Sequence, residues 1–390
     1  MGLRTGAAGM ALALCAGAAV AQGTVPPFAD AAATKQRGSD EERAWFEAAD
    51  FDRALRRSGA LRGDRELDAY LQQLLDGLFP EFQGAVRVQA VRDPVMNAFA
   101  LPNGSLYVNL GLIARMENEA QLASVLGHEA AHFVHRHSFQ QRTTAKDSAG
   151  FALVIGVVTG GVGALVANVV ALNAIYGYSR DFEREADRIG FERVARLGYD
   201  AAAGARTFEL LAEEAKILKV ERPVFFASHP QLEERIASFK ELAAARKLQG
   251  GELGAEAFLA RTAKARAEWP PLELSRGKAE SLAHVLSDPQ RRARYPAGDY
   301  WLGEAYRLRA QPDDDDRAAG AYARMIEREP DFAPAYRGLG VVRMKQDRAE
   351  EAAQLFKRYL ALAPQAPDAG FIRQYLADIE PEDTSTGESK

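Results

Sequence analysis

The stretch His128-Glu129-Ala130-Ala131-His132 decides the reading of this chain. On a helix, positions i and i+4 project from one face, so both imidazoles reach a single ion. Glu129 lies beside that face, where a carboxylate can take a proton from a water polarised by the metal. Zinc lowers the pKa of such a water to about 7, which makes a hydroxide nucleophile available at neutral pH. The residues leading into the motif, Asn118 to Gly127, support a helix. Leu122, Val125, Leu126 and Phe133 recur at helical spacing, Asn118 reads as the N-cap, and Gln121 follows three residues on, as in a capping box.

A third protein ligand is required, and this helix cannot supply it. His135 shares a face with His128, but seven residues at 1.5 Å rise place it about 10 Å along the axis. A Zn–N bond is about 2.1 Å, so His135 and His137 read as solvated or packing histidines rather than ligands. A Gly three and a His six residues after the second ligand would continue a longer zinc motif, but His135 and Ser138 stand there. The better source is Tyr178-Ser179-Arg180-Asp181-Phe182-Glu183-Arg184-Glu185-Ala186-Asp187. Glu183 and Asp187 share a helical face, so Glu183 can complete a His-His-Glu site with one open position. Asp187, one turn on, is placed to hydrogen-bond a ligand imidazole. Glu185 lies about 200° round from Glu183. The competing reading is an ordinary charged helix surface, which the alternating Glu and Arg would suggest by themselves.

The zinc helix followed by Tyr-Ser-Arg-x-x-Glu-x-Glu-Ala-Asp resembles the family-48 zinc metallopeptidases of the gluzincin group. Two further segments match in the family's order. Asn97 to Val108 is similar to its strand-turn-strand, and Ser228-His229-Pro230 with Arg235-Ile236 is similar to a late Ser-His-Pro segment. The resemblance covers about residues 65–240. It implies His128, His132 and Glu183 as ligands of one Zn2+, Glu129 as catalytic base, and Asp187 as a supporting or proton-donating carboxylate.

The surrounding chain reads as a secreted protein. Arg4 precedes an apolar run from Ala7 to Val20, and Ala19-Val20-Ala21 forms a small-x-small cleavage site, so residues 1–21 read as a signal peptide. Cys15, the single cysteine, falls inside that run, leaving a mature chain without disulfides. The net charge of −5 and the lack of a basic block argue against nucleic acid as a partner. Residues 22–63 read as a flexible then helical segment, with helical pattern from Asp40, and 64–250 as the zinc protease domain. In that domain, Leu67, Tyr70, Leu71, Leu74, Leu75 and Leu78 form an apolar helical face. Residues 86–92 alternate as a strand, and 97–101 with 105–110 form a hairpin about Pro102-Asn103-Gly104. A free edge on that hairpin would bind an extended substrate by strand addition. Residues 148–179 carry no charge but are interrupted at Thr159-Gly160-Gly161, leaving arms too short for a bilayer of about 30 Å. They read as a helical hairpin with possible peripheral membrane contact, with a span as the alternative.

The C-terminal third repeats. Ala318, Tyr322 and Pro330 recur after 34 residues as Ala352, Phe356 and Pro364, and Gly303 recurs after 37 as Gly340, which implies a three-residue insertion. Thirty-four is the tetratricopeptide period. Residues 251–289 read as a helical connector, 290–380 as the repeats and 381–390 as a disordered tail. The expected fold is therefore α+β and mainly helical: a zincin-like protease domain with a small sheet, then an α-helical tetratricopeptide array. Signal peptide, family-48-like protease and repeat array together resemble periplasmic members of that family, which implies a zinc endopeptidase that degrades misfolded or stalled envelope (outer-membrane) proteins. The repeats would bind clients or the outer-membrane assembly machinery. The alternative is a chaperone-like assembly adaptor with latent protease activity. His229 precedes Pro230 on an expected loop. It reads either as a latch ligand in the open zinc position or as a residue that caps the next helix or packs beneath the sheet.

Overall fold

The computed structural model describes residues 27–30, 33–35, 37–145, 178–218, 229, 232–246 and 250–379. The expected signal peptide, the uncharged segment up to residue 177, the loop before His229 and the polar tail lie outside these residues. No described helix is long and apolar enough to cross a membrane.

The mainly helical α+β arrangement expected from the sequence is what the structure shows. Helix α1 (Ser39–Arg57) and helix α2 (Arg65–Leu78) precede the sheet. Asp64 caps α2 by accepting from the amides of Glu66 and Leu67, and the six apolar residues predicted to share a face are all buried. Strands β1 (Arg87–Val91), β2 (Ala98–Ala100) and β3 (Ser105–Asn109) follow in the order β1-β3-β2. β1 runs parallel to β3, and β2 pairs antiparallel with β3 as the predicted hairpin. Gly104 closes that hairpin at φ +81°, and an added Cβ there would sit 2.3 Å from the Ala85 carbonyl oxygen. Only glycine fits both demands. β2 forms the edge of the sheet and packs beside the zinc-motif helix.

After the one-and-a-half-turn helix α3 (Leu110–Arg115), α4 (Glu119–Val134) carries the His-Glu-x-x-His motif through the middle of the core. The capping expectation holds: Asn118 Oδ1 accepts from the Gln121 amide at 3.0 Å. The Gln121 side chain turns back one residue further than the motif predicts, accepting from the Glu117 amide at 2.7 Å. Helices α5 (His137–Ala145), α6 (Arg180–Arg196), α7 (Ala203–Leu218) and α8 (Leu232–Arg246) complete the described part of the domain, with α6 and α7 packed on α4.

The C-terminal helices are α9 (Ala255–Ser275), α10 (Ala279–Ser287), α11 (Gly298–Arg309), α12 (Asp314–Arg328), α13 (Ala333–Lys345), α14 (Ala349–Leu362) and α15 (Ala369–Ile379). From α11 onward each packs on the next. A Cβ on Gly303 would meet the Tyr322 ring at 2.6 Å, and one on Gly340 would meet Phe356 at 2.5 Å. The same glycine-on-aromatic contact thus recurs at the positions the sequence repeat pairs. Acidic Asp314 lies in a helix rather than in the turn before it. It begins α12, buried beneath a two-pronged bond from Arg309.

This array is anchored on the protease domain around α3. The buried Arg266 on α9 donates to the carbonyls of Ala114, Ile113 and Met116. Trp269 donates to the Pro94 carbonyl, and Tyr295 to that of Ala114. Arg115 reaches out from the same turn to Glu214, Glu273 and Ser281. The carbonyls that a helix end leaves without partners are here satisfied by the neighbouring unit.

Candidate metal centre

Two helices cross at a pair of glycines to build the site. A Cβ on Gly127 of α4 would lie 3.1 Å from the Cα of Gly190 on α6, and one on Gly190 would lie 3.0 Å from the amide nitrogen of His128. The missing side chains let the backbones meet. That approach brings Glu183, two turns before Gly190, against the two histidines of α4.

His128 and His132 present their Nε2 atoms 2.9 Å apart. Glu183 Oε2 lies 3.6 Å from His128 Nε2, and its Oε1 lies 3.5 Å from His132 Nε2. His229 enters from the far segment, with Nδ1 2.9 Å from Glu183 Oε1 and 3.2 Å from His128 Nε2. All four side chains are buried, and their donor atoms lie within 4.8 Å of one another. The outer nitrogens of the two helix histidines are engaged elsewhere. His128 Nδ1 faces Asp187 Oδ1 at 2.8 Å, and His132 Nδ1 faces His137 Nδ1 at 2.9 Å. With protons on those outer nitrogens, both Nε2 lone pairs converge on the Glu183 carboxylate. Converging lone pairs and a carboxylate are a donor set that one Zn2+ fits.

The electrostatics agree. Burial, with His128 beside it, holds His132 well below the ordinary imidazole range, so it stays neutral as a ligand must. Burial alone would raise Glu183, but His229 and Arg235 outweigh it and keep the carboxyl well below its usual range. Glu129 goes the other way. Burial raises it against the pull of His229 and His128, which moves its basicity towards that of a proton acceptor at neutral pH. Its Oε1 lies 3.3 Å from His229 Nε2 and has no hydrogen bond.

The structure therefore brings together His128, Glu129, His132, Glu183, Asp187 and His229. Glu185 points away from the cluster, binding His135 Nδ1 at 3.1 Å and His137 Nε2 at 3.2 Å. The His229 ring stands in the centre of the site, against Glu129, Glu183 and His128. Three residues gain roles that the sequence did not reveal. Arg235 on α8 grips Asp187 with two bonds of 2.9 and 2.7 Å and places Nη1 3.0 Å from Glu183 Oε2. Tyr178 stacks on the His132 ring, 3.8 Å between centroids and 12° between planes. His137, expected only to pack or be solvated, is buried against His132. Arg235 stood in a quoted motif, but nothing in its spacing gave its partner.

Residues 62–243 match the model of peptidase family M48. The chain is 30% identical over 217 residues to a putative beta-barrel assembly-enhancing protease of Vibrio cholerae, a match spanning 52% of this chain and 44% of that one. It is 28% identical over 206 residues to the beta-barrel assembly-enhancing protease of Escherichia coli K12, covering 50% and 42%. It is 31% identical over 179 residues to the mitochondrial metalloendopeptidase OMA1 of Arabidopsis thaliana, covering 44% and 36%. The chain thus spans less than half the length of each of these relatives.

Proposed function

From an M48 domain with this donor set, we propose that the protein is a zinc-dependent endopeptidase of the cell envelope. The observation that carries the reading is the convergence of His128, His132 and Glu183 with the raised, buried carboxylate of Glu129 beside them. His128, His132 and Glu183 would hold one zinc, which would supply Lewis-acid chemistry and lower the pKa of a water there. Glu129 accepts the proton of that water and passes it to the leaving amine. Asp187, clamped by Arg235, accepts from His128 Nδ1 and fixes that imidazole with its other nitrogen inward. The edge strand β2 beside α4 offers unpaired backbone for an extended peptide, a mode with little side-chain preference.

His229 acts as a latch. Its Nδ1 lies among the candidate ligand atoms, so it would close the site until a client displaces it. The C-terminal helices are tetratricopeptide units that bind clients or the outer-membrane assembly machinery. The recurring glycine-on-aromatic contacts and the relatives' names support this, as they support a periplasmic location and misassembled outer-membrane proteins as substrates. The uncharged sequence of residues 148–179 supports peripheral contact with a membrane surface in the same proposal.

The test compares the native protein with Glu129→Gln on an unfolded outer-membrane protein. The variant should keep zinc and client binding and lose cleavage by several orders of magnitude. Undiminished cleavage in that variant refutes the mechanism. Client binding without cleavage by the native protein would favour the adaptor reading.

A further inference from the structure

Behind His132 lies a second set of side chains that the zinc reading does not use. Helix α4 ends at Val134, and Arg136 then adopts a left-handed conformation at φ 57°. For a residue with a Cβ this costs about 1 kcal/mol, so the surroundings must enforce it. They do. The Arg136 guanidinium lies 3.7 Å over the Phe28 ring, its Nε is 3.3 Å from Glu41, and Phe28 itself is tied to the Val134 carbonyl at 2.9 Å. The reversal swings His137 back towards the helix it has just left. Its ring stacks on Phe182, 4.5 Å and 15° away. Nδ1 stands 2.9 Å from His132 Nδ1, and Nε2 stands 3.2 Å from Glu185 Oε2.

We propose that His137 and Glu185 form a relay that fixes the tautomer and orientation of His132, both acting as positioning residues. The inference rests on the zinc reading above. Two Nδ1 atoms at hydrogen-bond distance hold one proton between them. His132 Nε2 faces the other ligands, so its proton is on Nδ1 and His137 accepts it. His137 then carries its own proton on Nε2, where the Glu185 carboxylate accepts. The carboxylate at the far end dictates both tautomers. Each helix histidine is thereby backed by a carboxylate, directly for His128 through Asp187 and across one imidazole for His132.

The same residues, His135, His137 and Glu185, have donor atoms close enough together to suggest a second metal site. Proton counting opposes it. An ion on His137 Nε2 would force the proton onto its Nδ1, against the N–H of His132. With both Nε2 atoms ligated, one proton would have to leave and one ring become an imidazolate. The relay needs no such loss.

The test is zinc affinity, measured by competition with a chromophoric chelator, with thermal melts of the zinc-free proteins as a control on folding. His137→Phe keeps the stacking on Phe182 and removes the acceptor, so it should weaken zinc binding by about 10- to 100-fold. His137→Gln, whose carbonyl can accept from His132, should recover part of the loss. His135→Ala should bind as the native protein does. In 15N NMR of the zinc-loaded native protein, His132 should carry its proton on Nδ1. Native affinity in His137→Phe overturns the relay, as does a second zinc per chain that His135→Ala removes. A native chain that binds no zinc overturns the site reading itself, which separates the two failures.

Discussion

Gly190→Ala puts the helix crossing under direct test. An Ala Cβ there would stand 3.0 Å from the His128 amide nitrogen and 3.2 Å from the Gly127 carbonyl carbon, all backbone of the zinc helix. Relaxed contacts between such atoms are about 3.5–4.0 Å, so α6 must retreat by about 0.5 Å. Metal–ligand distances tolerate only about ±0.2 Å. Since α6 carries Glu183 and α4 carries both histidines, the retreat falls across the ligand set. Overpacking costs about 1–3 kcal/mol, and the better helix propensity of Ala returns up to about 1 kcal/mol. A net destabilisation of about 1–2 kcal/mol is expected, with zinc affinity reduced about tenfold or more. Chelator competition reads the affinity, and denaturant melts of the zinc-free protein read the stability. If Gly190→Ala binds zinc as tightly as the native protein, the close crossing is not what sets the ligand geometry. A stability loss with native affinity would refute the same link.

Other perturbations follow from the same contacts. Zinc content by elemental analysis should fall to near zero in Glu183→Ala and stay at one per chain in Glu185→Ala, although the latter binds more weakly. His229→Ala should raise basal cleavage of a small unfolded substrate. Lower activity joined to a lower melting temperature, with zinc unchanged, would eliminate the latch. Arg266→Met leaves the carbonyls of Ile113 and Met116 without their donor and removes one of two from Ala114. It should destabilise the junction by about 3 kcal/mol, read by denaturant melts. The Arg309 bond, with a backbone bond from Gln311, holds Asp314 below its ordinary 3.8 despite burial. Its folded form binds fewer protons than its unfolded form, so its contribution is fully present above about pH 4 and fades as pH falls through the lowered value. Asp314→Asn should therefore flatten the acid limb of stability against pH, and an unchanged limb would refute the assignment.

What the sequence by itself determined is what local periodicity can encode. Four-residue spacing on a helix puts His128 and His132 on one face whatever the rest of the chain does, and the same geometry pairs Glu183 with Asp187. The hairpin at Gly104 and the cap at Asn118 are likewise local signals, and each appears in the structure where it was read. What only the tertiary structure decided is which distant groups meet. Gly127 and Gly190 were visible as letters, but nothing local states that one lies on the other, and that contact sets the reach of Glu183. Arg235 and His229 arrive from more than 40 residues beyond Glu183. That His137 packs against His132 was likewise not legible, because helical geometry carries it away from that residue. The turn that brings it back depends on Arg136 being held by Phe28 and Glu41, contacts about a hundred residues apart in the chain. Spacing fixes a side chain's direction within one helix, whereas the partner it meets depends on packing summed over the whole core.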